Sequence, residues 1–264
     1  MSNNGKGLRQ KEERLGEIKR NKESLGRYEM KIIEYKSYSD ITIEFQDKQK
    51  AVVHTAYNNF QKGNVKNPYH PSVYGIGYIG QGKYKVAKND KITKPYQTWK
   101  GMLERCYDEK RLKKQPTYTE CIVCEEWLCF QNFAEWYCKN YYECNGETMH
   151  LDKDILYKGN KIYSPETCMI VPERINEMFV KSDAIRGSLP IGCNKKGNKI
   201  CVRCQILNKR KHLGYFPLNR PFQAFTIYKE FKENYIKQVA DEYKDLIPQK
   251  LYDAMYEYKI EIND

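Results

Sequence analysis

Residues 198–207 read NKICVRCQIL, and the alternation in this stretch decides how the C-terminal part of the chain folds. Ile200, Val202, Cys204 and Ile206 share one parity, and Lys199, Cys201, Arg203 and Gln205 the other. Successive side chains of a strand point to opposite faces, so the first set predicts a core-facing side and the second a solvent-facing one. The partner for the apolar side is a helix predicted to begin at Pro221, a residue suited to the first helical position. Beyond it Phe222, Phe225, Tyr228, Tyr235 and Val239 recur at spacings that fit one helical face.

The charge of the same region narrows the function. No carboxylate occurs between Asp183 and Glu230, whereas Arg186, Lys195, Lys196, Lys199, Arg203, Lys209, Arg210, Lys211, Arg220 and Lys229 all fall there. These cations account for most of the net charge of +12. A basic excess concentrated in one segment is the footprint of a polyanion binder. The segment reads as strands and lacks the Trp and Leu face of an interfacial helix, which argues against an anionic membrane as the partner.

The stretches GCNKKGNKICVRCQI, KRKHLGYF and FQAFTIYKEF resemble the ethylene-response-factor (APETALA-type) DNA-binding domain of plants, which phage nucleases also carry. The likeness rests on Gly192, the ICVRCQI strand, His212 to Phe216, and the Ala224/Tyr228 helix. The quoted stretches run from Gly192 to Phe231. The likeness implies three antiparallel strands packed on one helix, with the sheet entering the major groove of duplex DNA. Arg suits guanine edges and Gln adenine edges there, while lysines contact phosphates. Carried over by position, the resemblance implicates Lys195, Lys199, Arg203, Gln205 and Lys211; Lys196 and Lys209 join them on charge and placement. His212 stands where the plant domains usually have Trp.

Working outward, residues 1–27 form a polar arm with eight Lys/Arg against four Glu. Residues 28–68 alternate as strands, through Met30, Ile32, Ile33, Ile41, Ile43, Phe45, Val52 and Val53, and resemble a small β-module that recurs in phage proteins. Residues 69–92 (with YGIGYIGQGKY) are a Gly/Tyr-rich linker or hairpin: the GxGxxG lacks the strand–turn–helix context of a phosphate loop. Residues 93–142 turn helical. Trp127, Phe130, Phe133, Trp136 and Tyr137 fall at helical spacing and are read as core in preference to a base-stacking surface.

HLDKDILYKGNKIYSPETCMIVPERIN, residues 150–176, carries a ββα-like pattern and resembles the HNH-type ββα-metal segment of phage and homing endonucleases. With the upstream helices, the resemblance covers roughly residues 93–178, within one HNH-like domain at 93–182. It implies Asp152 and Asn176 as ligands of Mg²⁺ or a similar divalent ion. Lys153 stands at the position of the general-base His, and Thr167 at that of the middle Asn. His150 is the nearest histidine, three residues from Lys153 and therefore on the opposite strand face. The chemistry needs a base to deprotonate water and an ion to stabilise the leaving oxygen. Two readings stay open: a metal-dependent DNA endonuclease using Lys153 or His150, and a nuclease-like frame retained for binding.

The ten cysteines read as free thiols among apolar neighbours, because nothing at the N-terminus directs export. Cys121-x2-Cys124 and Cys201-x2-Cys204 have ligand-like spacing, but strand and flanking context argue against structural zinc. The expectation is therefore a modular α+β protein of the bacterial host cytoplasm: arm, small β-module, HNH-like ββα centre, and a sheet-plus-helix domain at 188–264 that binds double-stranded DNA. Its alternatives are a catalytically inactive regulator and a host-defence inhibitor acting on a nucleoprotein complex.

Overall fold

The computed structural model describes residues 13–23, 28–180, 188–207, 209–262 and 264 of an α+β protein. The chain forms two compact units, one drawn from Met1–Pro116 and Glu125–Glu135, the other from Thr117–Cys124 and Trp136–Asp264. The span 93–182 thus contributes to both units.

In the first unit, strands β1 (Ile18–Arg20), β2 (Glu29–Ser37), β3 (Asp40–Phe45) and β4 (Val52–Thr55) form an antiparallel sheet in that order. Met30, Ile32, Tyr35, Ile41, Ile43 and Phe45 bury its inner face. The step from Ile32 to Tyr35 breaks the period of two because Ile33 is the extra residue of a bulge, with Ile32 opposite Ile43 and Glu34 opposite Thr42. The bulge turns Ile33 outward, 42% exposed, and returns Tyr35 to the core. Strand β1 lies in the stretch read from sequence as an arm. Its three residues carry no apolar period, and its place comes from the backbone pairs Gly16 N–H to Ile32 O and Ile32 N–H to Glu17 O.

A short helix α1 (Tyr57–Gln61) follows, then the hairpin β5 (Ala87–Lys88) and β6 (Lys91–Ile92), whose loop residues Asn89 and Asp90 both have positive φ. That is the geometry Asn and Asp tolerate best after glycine. The glycine-rich stretch before it is held by Tyr78, whose N–H donates to Leu128 O and whose O accepts from Phe130 N–H. Helix α2 (Lys94–Tyr107), α3 (Glu109–Lys114), α4 (Glu125–Leu128) and α5 (Phe130–Asn140) complete the helical stretch. Trp127, Phe130 and Phe133 are fully buried, and Tyr137 is buried. Trp136 is only partly covered.

The second unit holds β7 (Ile122–Val123) parallel to β9 (Ile162–Tyr163), and β8 (Met149–Asp152) antiparallel to β10 (Met169–Pro172), which leads into α6 (Glu173–Met178). Next come β11 (Cys193–Lys196), β12 (Lys199–Ile206) and β13 (Lys209–Pro217), an antiparallel sheet in that order. Helix α7 (Pro221–Tyr243) packs across all three strands, and α8 (Gln249–Glu257) packs on α7. Ala224, Tyr228, Tyr235, Ile236, Val239, Ala240 and Tyr243 form the buried stripe of α7 at three- and four-residue steps. Phe222, expected on that face, is 72% exposed: two residues before the buried Ala224, it points to the side of the helix away from the stripe.

The stripe is shared. Ile200 and Val202 of the sheet, Val171 and Ile175 of the β10–α6 segment, and Leu251 and Met255 of α8 all join one core. Gly192 sets the closest approach: it has φ +77°, and a Cβ there would lie 2.1 Å from the Tyr228 ring. Among the described residues no helix is long and apolar enough to cross a membrane.

Ile236→Ala is expected to destabilise the chain by about 2–5 kcal/mol through the cavity it leaves. Phe222→Ala should stay within about 0.5 kcal/mol. Urea denaturation of both variants, followed by circular dichroism, measures the contrast.

Candidate nucleic-acid interface

Register decides which cations of the C-terminal sheet share a face. In β12, Lys199, Cys201, Arg203 and Gln205 alternate with the core residues Ile200, Val202 and Cys204. Cross-strand partners point to the same side. Lys196 pairs with Lys199 and Asn194 with Cys201; on the other edge Tyr215 pairs with Cys201, His212 with Arg203 and Arg210 with Gln205. The outward face therefore presents Asn194, Lys196, Lys199, Arg203, Gln205, Arg210, His212 and Tyr215.

Lys195, Lys209 and Lys211 fall on the other rows, opposite Ile200, Ile206 and Cys204. Lys211 lays its ammonium 4.8 Å from the ring centre of Phe231, a residue of α7. The cause is a bulge in β13. Val202 pairs with Gly214 but Arg203 with His212, so Leu213 is an extra residue and the parity of β13 changes beyond it. Gly214, at φ +147°, supplies the backbone that this bulge requires. Of the seven DNA contacts read from sequence, Lys196, Lys199, Arg203 and Gln205 come together on one face, and Lys195, Lys209 and Lys211 do not. Arg210, His212, Tyr215 and Asn194 share that face and were not among the residues read from sequence. Counting parity back from Arg203 through the Gly-Tyr-Phe segment would place Arg210 only if the bulge were known.

Cys201 occupies an outward row yet is only 1% exposed. A small side chain between Asn194 and Tyr215 is covered by its longer neighbours. Tyr215 also organises the face: its hydroxyl accepts from the Lys196 ammonium at 3.1 Å, and its ring centre lies 4.5 Å from that of His212.

The electrostatic contrast within the second unit is clear. Lys153, Lys158, Arg174 and Lys229 each meet a carboxylate, on Asp154, Asp264, Glu242 and Glu233. Lys196, Lys199, Arg203 and Arg210 have no carboxylate partner among the described residues. Four solvated cations on one sheet face, beside two amides and two rings, form a surface that a polyanion can neutralise.

The HNH-like segment has the strand–strand–helix order, with β8 paired to β10 and α6 directly following, but its polar residues are engaged elsewhere. The Asp152 carboxylate Oδ1 accepts from the Asp154 and Ile155 N–H groups at 2.8 and 2.7 Å, which makes it the acceptor of a turn. Burial holds its pKa above the usual carboxylate range, against the anion that a divalent ion needs. Lys153 is buried and donates to Asp154 Oδ2 and Asn160 O, both at 2.7 Å, stitching down the Gly159-Asn160 loop. Thr167 closes the same loop by donating to Ile162 O at 2.7 Å. His150 lies 3.7 Å from Glu173, and Asn176 sits half-buried on α6, its backbone carbonyl, not its side chain, accepting from Phe179 N–H. Asp152 thus gives Oδ1 to a turn while Oδ2 takes no part in it, and the base position holds a lysine tied to its neighbours.

The cysteines are free thiols, eight of them buried. Burial raises the thiol of Cys204, and that of Cys168 to about 12, which disfavours the thiolate that metal binding needs.

Asp152→Ala should cost about 1–2 kcal/mol by orphaning two N–H groups. Asp152→Asn keeps the acceptor and removes a buried charge, so its stability at pH 7 should equal or exceed the parent's. The folded-state pKa is raised, so the carboxyl's favourable contribution is complete at acid pH and is lost as pH rises through the folded pKa. The advantage of Asn should therefore shrink on acidification toward pH 4; denaturation of the three proteins at pH 4 and pH 7 tests this.

Comparison with protein-family models, with curated proteins and with solved structures finds no match to this chain.

Proposed function

We propose that this chain binds duplex DNA, seating the outward face of β11–β13 in the major groove and preferring some sequences over others. The observation that carries this reading is the convergence of Lys196, Lys199, Arg203 and Arg210, none with a carboxylate partner among the described residues, with Asn194 and Gln205 on one face of a rigid sheet. A β-ribbon can enter the major groove, where Arg fits guanine and Asn or Gln fits adenine with paired hydrogen bonds. Lys196 and Lys199, at the Gly197-Asn198 hairpin end, suit phosphates flanking the groove. The Tyr215–His212 pair adds a planar surface for sugar or thymine-methyl contact.

In this reading the β8–β10–α6 segment supports the reader and does no hydrolysis. Arg174 joins it to α7 through Glu242 at 2.7 Å, and Tyr243 of α7 donates to Glu147 just before β8. A nuclease-like frame has become part of the wall on which the DNA-reading helix and sheet are built.

Fluorescence anisotropy with duplexes of about 25 base pairs, at several salt concentrations, tests the assignment. Arg210→Ala and Arg203→Ala should each weaken binding by about tenfold or more, within the roughly 1–3 kcal/mol of a base-reading Arg. Lys211→Ala should weaken it less than about threefold. Lys199→Ala should reduce the dependence of log affinity on log salt by about one. Equal losses for Arg210→Ala and Lys211→Ala would refute the facing of the sheet. Metal-dependent nicking of supercoiled plasmid, abolished by Asp152→Ala, would refute the non-hydrolytic role.

A further inference from the structure

A cavity of about 730 Å³ opens at one edge of the C-terminal sheet. It exists because β11 is shorter than β12: their pairing stops at Cys193 and Val202, so beyond Arg203 the strand has no neighbour on that side. The cavity wraps around the open edge. Arg203, Gln205 and Arg210 reach it from the outward rows, and Tyr228 and Lys232 from α7.

Lys232 is the unexpected residue. It sits in the buried stripe of α7, is only 7% exposed, and has no hydrogen bond or ion pair with any described residue. Its interaction with an ionisable group is with the buried Cys204 thiol, and desolvation pushes its pKa below the usual lysine value. Lys232 lines the cavity from this stripe, where its ammonium is partly desolvated, and a Met in its place would fill similar volume without that penalty. The carboxylates that line the cavity do not balance it. Asp264 is taken by Lys158 at 2.5 Å and by the Glu261 N–H at 2.8 Å, and Glu177 is exposed at the rim. Three cations therefore converge on a space of ligand size. Aromatic wall is present as well, where Phe179 and Tyr258 meet edge to face at 4.7 Å.

We propose that this cavity binds a phosphorylated ligand of nucleotide size, its phosphoryl oxygens held by the Lys232 ammonium and the Arg203 and Arg210 guanidiniums, its base against the aromatic wall. The phosphate has two sources, a free mononucleotide or a nucleotide of DNA lying on the sheet. The first stands apart from the DNA-binding reading; the second rests on it.

The test uses the full chain, Lys232→Met and Lys199→Ala, titrated calorimetrically with inorganic phosphate and 5′-mononucleotides, and by anisotropy with the 25-base-pair duplex. Lys199 does not line the cavity, so its variant reports on the sheet face alone. The expected result is one mononucleotide per chain, competed by inorganic phosphate and weakened at least about tenfold by Lys232→Met, as loss of a charge-assisted hydrogen bond implies. Lys199→Ala should leave that affinity unchanged and weaken the duplex only. The ligand-free Lys232→Met protein should melt at a higher temperature. Lys232→Gln serves as a second variant if the Met protein does not fold. Duplex affinity that falls tenfold with Lys232→Met, without mononucleotide binding, assigns the phosphate to DNA. Affinities for mononucleotide and duplex that are both indifferent to Lys232 overturn the proposal.

Discussion

The second unit depends on the burial of one stripe of α7 from two directions. Ala224, Ile236, Val239 and Ala240 are completely buried, beneath the sheet residues Ile200 and Val202 and in the same core as Val171 and Ile175. Most of a helix's stability in a protein comes from tertiary packing of its apolar face rather than from propensity, and burial of this stripe is what α7 depends on. Polar ties fix the arrangement: Arg174 holds Glu242 and lies 5.5 Å from the Tyr243 ring centre, while Asp241 receives the hydroxyls of Tyr252 and Tyr256 from α8. The sheet can then present a rigid outer face, because everything behind it is packed.

How much of this was legible depends on the length over which a pattern repeats. The alternation of Ile200, Val202, Cys204 and Ile206 runs through four periods and identified the strand and its core side; the start of α7 at Pro221 was equally clear. The α+β class and the three-stranded sheet on a helix follow from those two features. Single-residue irregularities were not legible. Leu213 and Ile33 look like ordinary strand residues, and only register shows that each is the extra residue of a bulge. That is why Lys211 was grouped with the outward residues of β12 and Arg210 was not. Phe222 was misplaced because the stripe runs through Ala224 and Tyr228, and Phe222 is not at a three- or four-residue step from either. Asp152 is a different kind of case: a carboxylate followed by two residues whose N–H groups it can accept from is identical in sequence whether it binds a metal or caps a turn.

Charge is used in two ways in this unit. Cations that meet carboxylates, such as Lys158 with Asp264 and Lys229 with Glu233, tie segments of the fold together. Those on the outward rows of β11–β13 have no such partner among the described residues and face solvent. Lys232 belongs to neither group: it lies in the buried stripe of α7, has no ion pair among the described residues and lines the edge cavity.

The most direct measurement is a lysine-acetylation footprint of the full chain, with and without duplex DNA, read by mass spectrometry. The account predicts that DNA protects Lys196 and Lys199, while Lys31 and Lys36 of the N-terminal sheet and Lys237 of α7 react as before. Protection of the N-terminal lysines with Lys196 and Lys199 still reactive would contradict it.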